Sequence, residues 1–145
     1  MATAYTDRVP AWFWIVSVLA LLWEAMGCYS YVAQVTMSAS DIAALPEGQQ
    51  TLMAAIPTWL NGVFAIATWS GLAAAVCLLL RRTWARPLFL VSLVAVLIQF
   101  SWWFFVARAA DVIGTDAYVM PVAVIVAAVL LVWFSSMAAK RGWLR

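Results

Sequence analysis

Six acidic residues are spread over 145 positions, and one of them, Glu24, stands inside the otherwise apolar run LALLWEAMGCYSYV (Leu19 to Val32). A carboxyl in such a place can accept hydrogen bonds, bind a cation or carry a proton. At helical spacing Ser17, Ala20, Glu24, Gly27, Cys28, Tyr31 and Gln34 share one face, while Ile15, Leu19, Leu22, Met26 and Val32 lie largely elsewhere. The acid therefore belongs to a small, polar stripe. A charge facing lipid at mid-bilayer costs about 2.5 to 3.5 kcal/mol on insertion scales. Glu24 is thus expected to face the interior of a bundle, find a partner, or hold its proton.

Two further stretches offer partners. Ser92, Ala95, Gln99 and Trp102 form a comparable face, and Asn61, Ala65 and Thr68 form another, beside the close-packing series Ala67, Gly71, Ala75. Counted along their helices from the same side, Glu24 and Gln99 lie about 20 Å and about 18 Å deep. The segments SVLALLWE (17–24) and SLVAVLIQ (92–99) also share Ser, Ala three residues later and Glu or Gln seven later, and Pro57 and Pro121 are each followed twelve residues on by a tryptophan. A duplicated hairpin with parallel repeats would set Glu24 opposite Gln99, within hydrogen-bond reach. Glu24, Gln99, Tyr31, Asn61, Thr68 and Trp102 make up the candidate site, for a solute or proton or for docking a partner helix. The plainer reading makes Glu24 a hydrogen-bonded packing acid and the tryptophans packing and interface residues.

Other chemistry is sparse. The chain has no histidine and two cysteines, Cys28 and Cys77. Their depths differ by roughly 20 Å, too far for a disulfide. No metal site, cofactor site or catalytic set is expected, and an enzyme, which needs a nucleophile with a base or a metal-binding cluster, is not expected either. Ala25, Met26, Gly27 and Cys28 loosely resemble a lipoprotein cleavage box. The usual leucine is missing, an acid sits just upstream, and Asp7 offsets Arg8, so cleavage at Cys28 is not expected.

The elements that must position these residues follow from composition. With 68% hydrophobic and 10% charged residues and a mean hydropathy of +1.00, the chain cannot cover a soluble surface, which takes about 25% charge. An all-α, polytopic membrane protein is expected: one domain of four transmembrane helices at about 11–34, 58–80, 87–108 and 118–138, each near the roughly 20 residues a bilayer core requires. Seven of eight cations (Arg8, Arg81, Arg82, Arg86, Lys140, Arg141, Arg145) fall on one side, and the loops on the other side carry Asp41, Glu47, Asp111 and Asp116. The positive-inside rule makes both termini cytoplasmic. Trp12, Trp14, Trp84 and Trp143 would mark the inner interface, and Trp59 and Tyr118 the outer one. The net charge of +2 records this topology and gives no reason to expect nucleic acid.

The outer loop, 35–57, is too long for a plain turn. Ser38 with Asp41 fits a capping box, Pro46 suits the first turn of a second short helix, and Ile42, Leu45, Leu52, Met53 and Ile56 give an apolar side. A short amphipathic element is expected there, either covering the bundle or acting as a lid over the Glu24 region. Pro10, Pro57, Pro87 and Pro121 each read as lying at or near the start of a span. Arg108 and Asp111 read as a solvated helix pair.

The segments PAWFWIVSVLALLWEAMGCYSYVAQVTMS, ALPEGQQTLMAAIPTW and KRGWLR resemble, over nearly the whole chain, a group of small four-helix bacterial inner-membrane proteins commonly labelled sugar transporters. The resemblance implies a bacterial inner-membrane location and brings no established mechanism or site residues. An acid in the first of four helices is also similar to the small multidrug resistance transporters, whose chains are shorter and lack this outer loop. Two readings stay open: a small-solute transporter or permeation unit, oligomeric because four helices enclose little space, and an accessory or assembly subunit of a larger membrane complex. The bilayer, further copies or a larger complex, and a small polar solute are the partners these readings imply.

Overall fold

The computed structural model describes residues 8–145; Asp7 lies outside the described residues. The long helices are α1 (Ala11–Val35), α4 (Thr58–Leu79), α5 (Ala85–Ser101) and α7 (Asp116–Lys140), with the short helices α2 (Ala39–Ala43), α3 (Glu47–Ala55) and α6 (Ala109–Ile113) between them. A π-helical stretch, Trp102–Val106, prolongs α5. Four helices, counting Ala85–Val106 as one, are long and apolar enough to cross a membrane. Their ends fall within two residues of those expected from the sequence.

α4 is central, packing along α1 on one side and α5 on the other, and α5 packs against α7. Small residues let the helices approach: Ala20, Ala74 and Ala75 are buried, and Gly71 is buried where α1 crosses α4. Two successive carbonyls of α4 tie the three helices at one level. Ser92 of α5 donates to the Ala67 carbonyl at 2.7 Å, and the Cys28 thiol of α1 donates to the Thr68 carbonyl at 3.3 Å. Both side-chain donors, buried where the helices pack, are satisfied by these bonds.

The end carrying most of the cations is closed by aromatic packing. Phe13 stacks on Phe134 with centroids 5.7 Å apart, and Trp12 and Phe13 both meet the Trp143 ring edge-on. Beneath them the turn between α4 and α5 is held by a distant segment. The Arg81 carbonyl accepts from the Arg145 N–H at 2.6 Å, the Thr83 N–H donates to the Arg145 carbonyl at 3.1 Å, and Arg81 Nε donates to the Trp143 carbonyl at 2.7 Å. Arg81 takes a positive φ of 56° to make this turn.

The opposite end carries the short helices. Ser38 caps α2: its hydroxyl accepts from the Asp41 N–H, and the Asp41 carboxylate accepts from the Ser38 N–H at 3.0 Å and from its hydroxyl at 2.6 Å. Those two bonds, the hydroxyl's first, hold the Asp41 carboxyl below the usual carboxylate range. Pro46 caps α3, and Gln50 donates to the Ala43 and Leu45 carbonyls, folding α3 back on α2. Leu52 is only 3% exposed, packed with Ala109 and Ala117 against Trp103. The amphipathic element forms as expected, and it rests on α6 and the start of α7.

Three local features depart from the sequence reading. The third span is not uniformly α-helical: the Ala107 N–H reaches back five residues to the Trp102 carbonyl at 2.9 Å, and the widened turn buries Trp102 while the Trp103 indole donates to the Ala117 carbonyl at 3.3 Å. The stretch read as a loop after it contains α6, which begins beyond Arg108 at a positive φ of 48°. Arg108 pairs with Asp111 at 2.8 Å, both well exposed, as a surface helix pair does. Pro121 stands inside α7, whose first turn starts earlier at Asp116, whereas Pro57 does cap α4.

Candidate functional site

The polar stripe of α1 packs as a seam against α4. Only one narrow face of α1 is buried, made of Phe13, Ser17, Ala20, Glu24 and Cys28, which is the face read from helical spacing. Because α1 and α4 run antiparallel, each step of three or four residues down one is matched by a step up the other. Gln34 meets Asn61, with Nε2 to Oδ1 at 3.5 Å. One turn on, Tyr31 meets Phe64 edge to face, centroids 5.5 Å apart. Next the Cys28 thiol meets the Thr68 carbonyl, and last Glu24 meets Gly71.

Glu24 is 9% exposed. Its carboxyl lies directly on the Gly71 backbone: a Cβ built on Gly71 would fall 2.7 Å from Glu24 Cδ and 3.1 Å from Oε1. No hydrogen bond or ion pair reaches this carboxyl among the described residues. The Thr68 hydroxyl is spent on its own helix, donating to the Phe64 carbonyl at 3.0 Å and also approaching that of Ala65. Below Glu24, towards the basic end, the seam is closed by apolar packing around Phe13, Ala20, Ala75, Leu78 and Phe134. Ser17 lies in that part, buried, and bonds back to the Phe13 carbonyl at 2.7 Å.

At the other end of the seam a cavity of about 50 Å³ opens between α1, α4 and α5. Three carboxamides line it, Gln34, Asn61 and Gln99, with three aromatic rings, Phe64, Phe100 and Trp103. Ile56 and Leu60 complete the wall.

Of the sequence-derived candidates, the structure brings Glu24, Tyr31, Thr68 and Asn61 onto one seam and places Gln99 at its loop end. Glu24 and Gln99 do not meet. Asn61, which shares the cavity with Gln99, is ten residues of α4 from Gly71, which touches Glu24, a rise of about 15 Å. Depth counting failed because the helices do not start flush. Glu24 stands 13 residues into α1, yet it faces a glycine only eight residues from the basic end of α4; Gln99 stands 14 residues into α5 and faces Asn61, 18 residues from that end. The aromatic cluster draws α1 past the end of α4. The partial repeat correspondingly differs in its contacts: Ser17 bonds within its own helix, and Ser92 bonds across to α4.

Trp102 is buried but does not line the cavity; Trp103 does. Three and four residues on from Gln99 are both helical neighbours, and from Trp102 the helix widens into the π turn, so spacing from Gln99 does not choose between the two tryptophans. Gln34 was on the stripe in plain sight. Gly71 was legible only as a packing residue, because nothing in the sequence pairs it with Glu24. Among the described residues no group of three His, Cys, Asp or Glu side chains forms that could hold a metal ion. No protein-family model, curated protein or solved structure matches the chain, so the chemistry of the site rests on its own geometry.

Proposed function

We infer that this chain is a small-solute transporter or permeation unit of the bacterial inner membrane, with both termini cytoplasmic and more than one copy in the working assembly. One observation supports the reading: from the polar cavity at the loop end the seam of α1 and α4 leads past Tyr31, Cys28 and Thr68 to an acid with no hydrogen-bond or ion-pair partner among the described residues, and below it the seam is closed by apolar packing. Such an arrangement suits access from one side with the opposite side shut. Glu24 is the group on which a solute proton donor or a transported proton would be received.

The test is flux. Purified protein in liposomes, mixed rapidly with small polar solutes, should shrink and re-swell faster than protein-free vesicles, and Glu24→Leu should remove the difference. Equal rates for all solutes with and without protein would end the transport reading. Orientation is checked separately in intact cells: cysteines introduced at Glu47 and Thr115 should react with an impermeant thiol reagent, and one at Thr83 should not.

The accessory-subunit reading is favoured by a different feature. Along its middle α1 packs mainly on α4, and its flanks are open, with Leu19 59%, Met26 63% and Tyr29 77% exposed. A partner helix lying there would copurify in fixed ratio from native membranes in mild detergent.

A further inference from the structure

The cavity at the loop end deepens the transport reading, on which its physiological meaning rests, because its size and chemistry limit what it can hold. At about 50 Å³ it has room for roughly four water-sized groups at about 10 to 15 Å³ each. Pockets for drug-sized ligands run to roughly 300 to 1,000 Å³. A sugar ring with its hydroxyls does not fit. Every side chain of the lining is neutral, so an ion entering would lose hydration and gain no counter-charge.

What the lining does offer is amide chemistry on three sides. A carboxamide presents two donors and one acceptor oxygen in a plane. The single bond between Gln34 and Asn61 is long, 3.5 Å, and uses one donor and one acceptor. The Gln99 side chain has no hydrogen-bond partner among the described residues, although α5 aims it into the same space. The rest of the lining is the rings of Phe64, Phe100 and Trp103, whose faces favour a flat guest, and the aliphatic Ile56 and Leu60. A guest that is flat, neutral and able to donate and accept side by side answers all of these features together. We propose that this cavity binds a small neutral planar amide, of the acetamide or urea class, held by the carboxamides of Gln34, Asn61 and Gln99.

The experiment is a titration of the ¹⁵N-labelled protein in lipid nanodiscs with acetamide, followed by the side-chain NH₂ resonances of Gln34, Asn61 and Gln99. Acetate, flat and of similar size but charged, and glucose, neutral but too large, are the comparison solutes. Saturable shifts at all three carboxamides with acetamide, and none with acetate or glucose, are expected. Gln99→Leu should weaken acetamide binding at least tenfold. Absence of saturable shifts with acetamide, or equal response to acetate or glucose, overturns the proposal; because this comparison uses the unaltered chain, it decides even where Gln99→Leu fails to fold. Acetamide binding without liposome flux would support this site while removing the transport reading. Flux of other solutes without acetamide binding would remove this proposal alone.

Discussion

At the loop end of the seam Gln34 meets Asn61, amide to amide, with Gln99 across a small cavity; about 15 Å further along the same pair of helices Glu24 lies on the bare backbone of Gly71. The loop end surrounds polar groups with other polar groups and leaves space between them. The mid-helix end sets the carboxyl of an acid against a bare glycine backbone, with no room there for a side chain on the facing helix. In a bundle with little interior, a long side chain at a crossing needs a partner helix with no side chain at that level. Gly71 meets that need, and the lack of a donor follows from it, because a residue able to donate would also have to occupy the volume. Polarity at one end is a matter of chemistry; at the other it is a matter of room.

Filling that room is the strongest way to break the contrast. Gly71→Leu should force α1 off α4 and lower stability by about 3 kcal/mol, seen as a loss of resistance to denaturing detergent. Gly71→Ala is subtler, because the atom it strikes is the free end of the Glu24 side chain, which can swing aside. It should cost about 1 kcal/mol alone and much less in a Glu24→Ala background; a double-mutant cycle with coupling near zero would show that the carboxyl and the glycine are not in conflict.

The loop end should respond through lost partners instead of lost volume. Asn61→Leu takes away the acceptor of Gln34 and should cost about 0.5 to 1 kcal/mol, read in the same unfolding assay. Glu24→Gln keeps the shape and adds a donor with nothing specific to meet, so stability should stay within about 0.5 kcal/mol while flux changes. An effect of Glu24→Gln on stability larger than that of Asn61→Leu would reverse the contrast. The smallest expected effect lies outside the seam. The carboxyl of Asp41 is held below its ordinary value of 3.8 by Ser38, so its contribution to the cap is present above that value and is lost as pH falls through the lower, folded-state one. Once exchange is corrected for its intrinsic pH dependence, protection of the amides at the start of α2 should fall in that acid range, and Asp41→Asn should remove this fall.

The single buried stripe of α1 was legible because helical periodicity is local: Ser17, Ala20, Glu24 and Cys28 fall on one face whatever the neighbours do. The cap at Ser38 and the ends of the long helices were legible for the same reason. The sliding of one helix against another was not. It depends on contacts between residues far apart in the chain, here Phe13 on Phe134 and Trp12 on Trp143, and no count along a single helix contains it. The choice of Trp103 over Trp102 at the cavity has a second source, since both are helical neighbours of Gln99 and sequence spacing carries no mark that the helix widens from Trp102 on.

The turn between α4 and α5 has a consequence for the order in which the molecule is completed. Its Arg81 guanidinium finds the Trp143 carbonyl 62 residues further along, and the Arg81 carbonyl and Thr83 N–H both close on Arg145. When the hairpin of α4 and α5 first leaves the ribosome these partners have not been made. The hairpin therefore begins with only its local bonds, such as Arg82 N–H to the Cys77 carbonyl, and the residues after α7 finish a bend begun much earlier in synthesis.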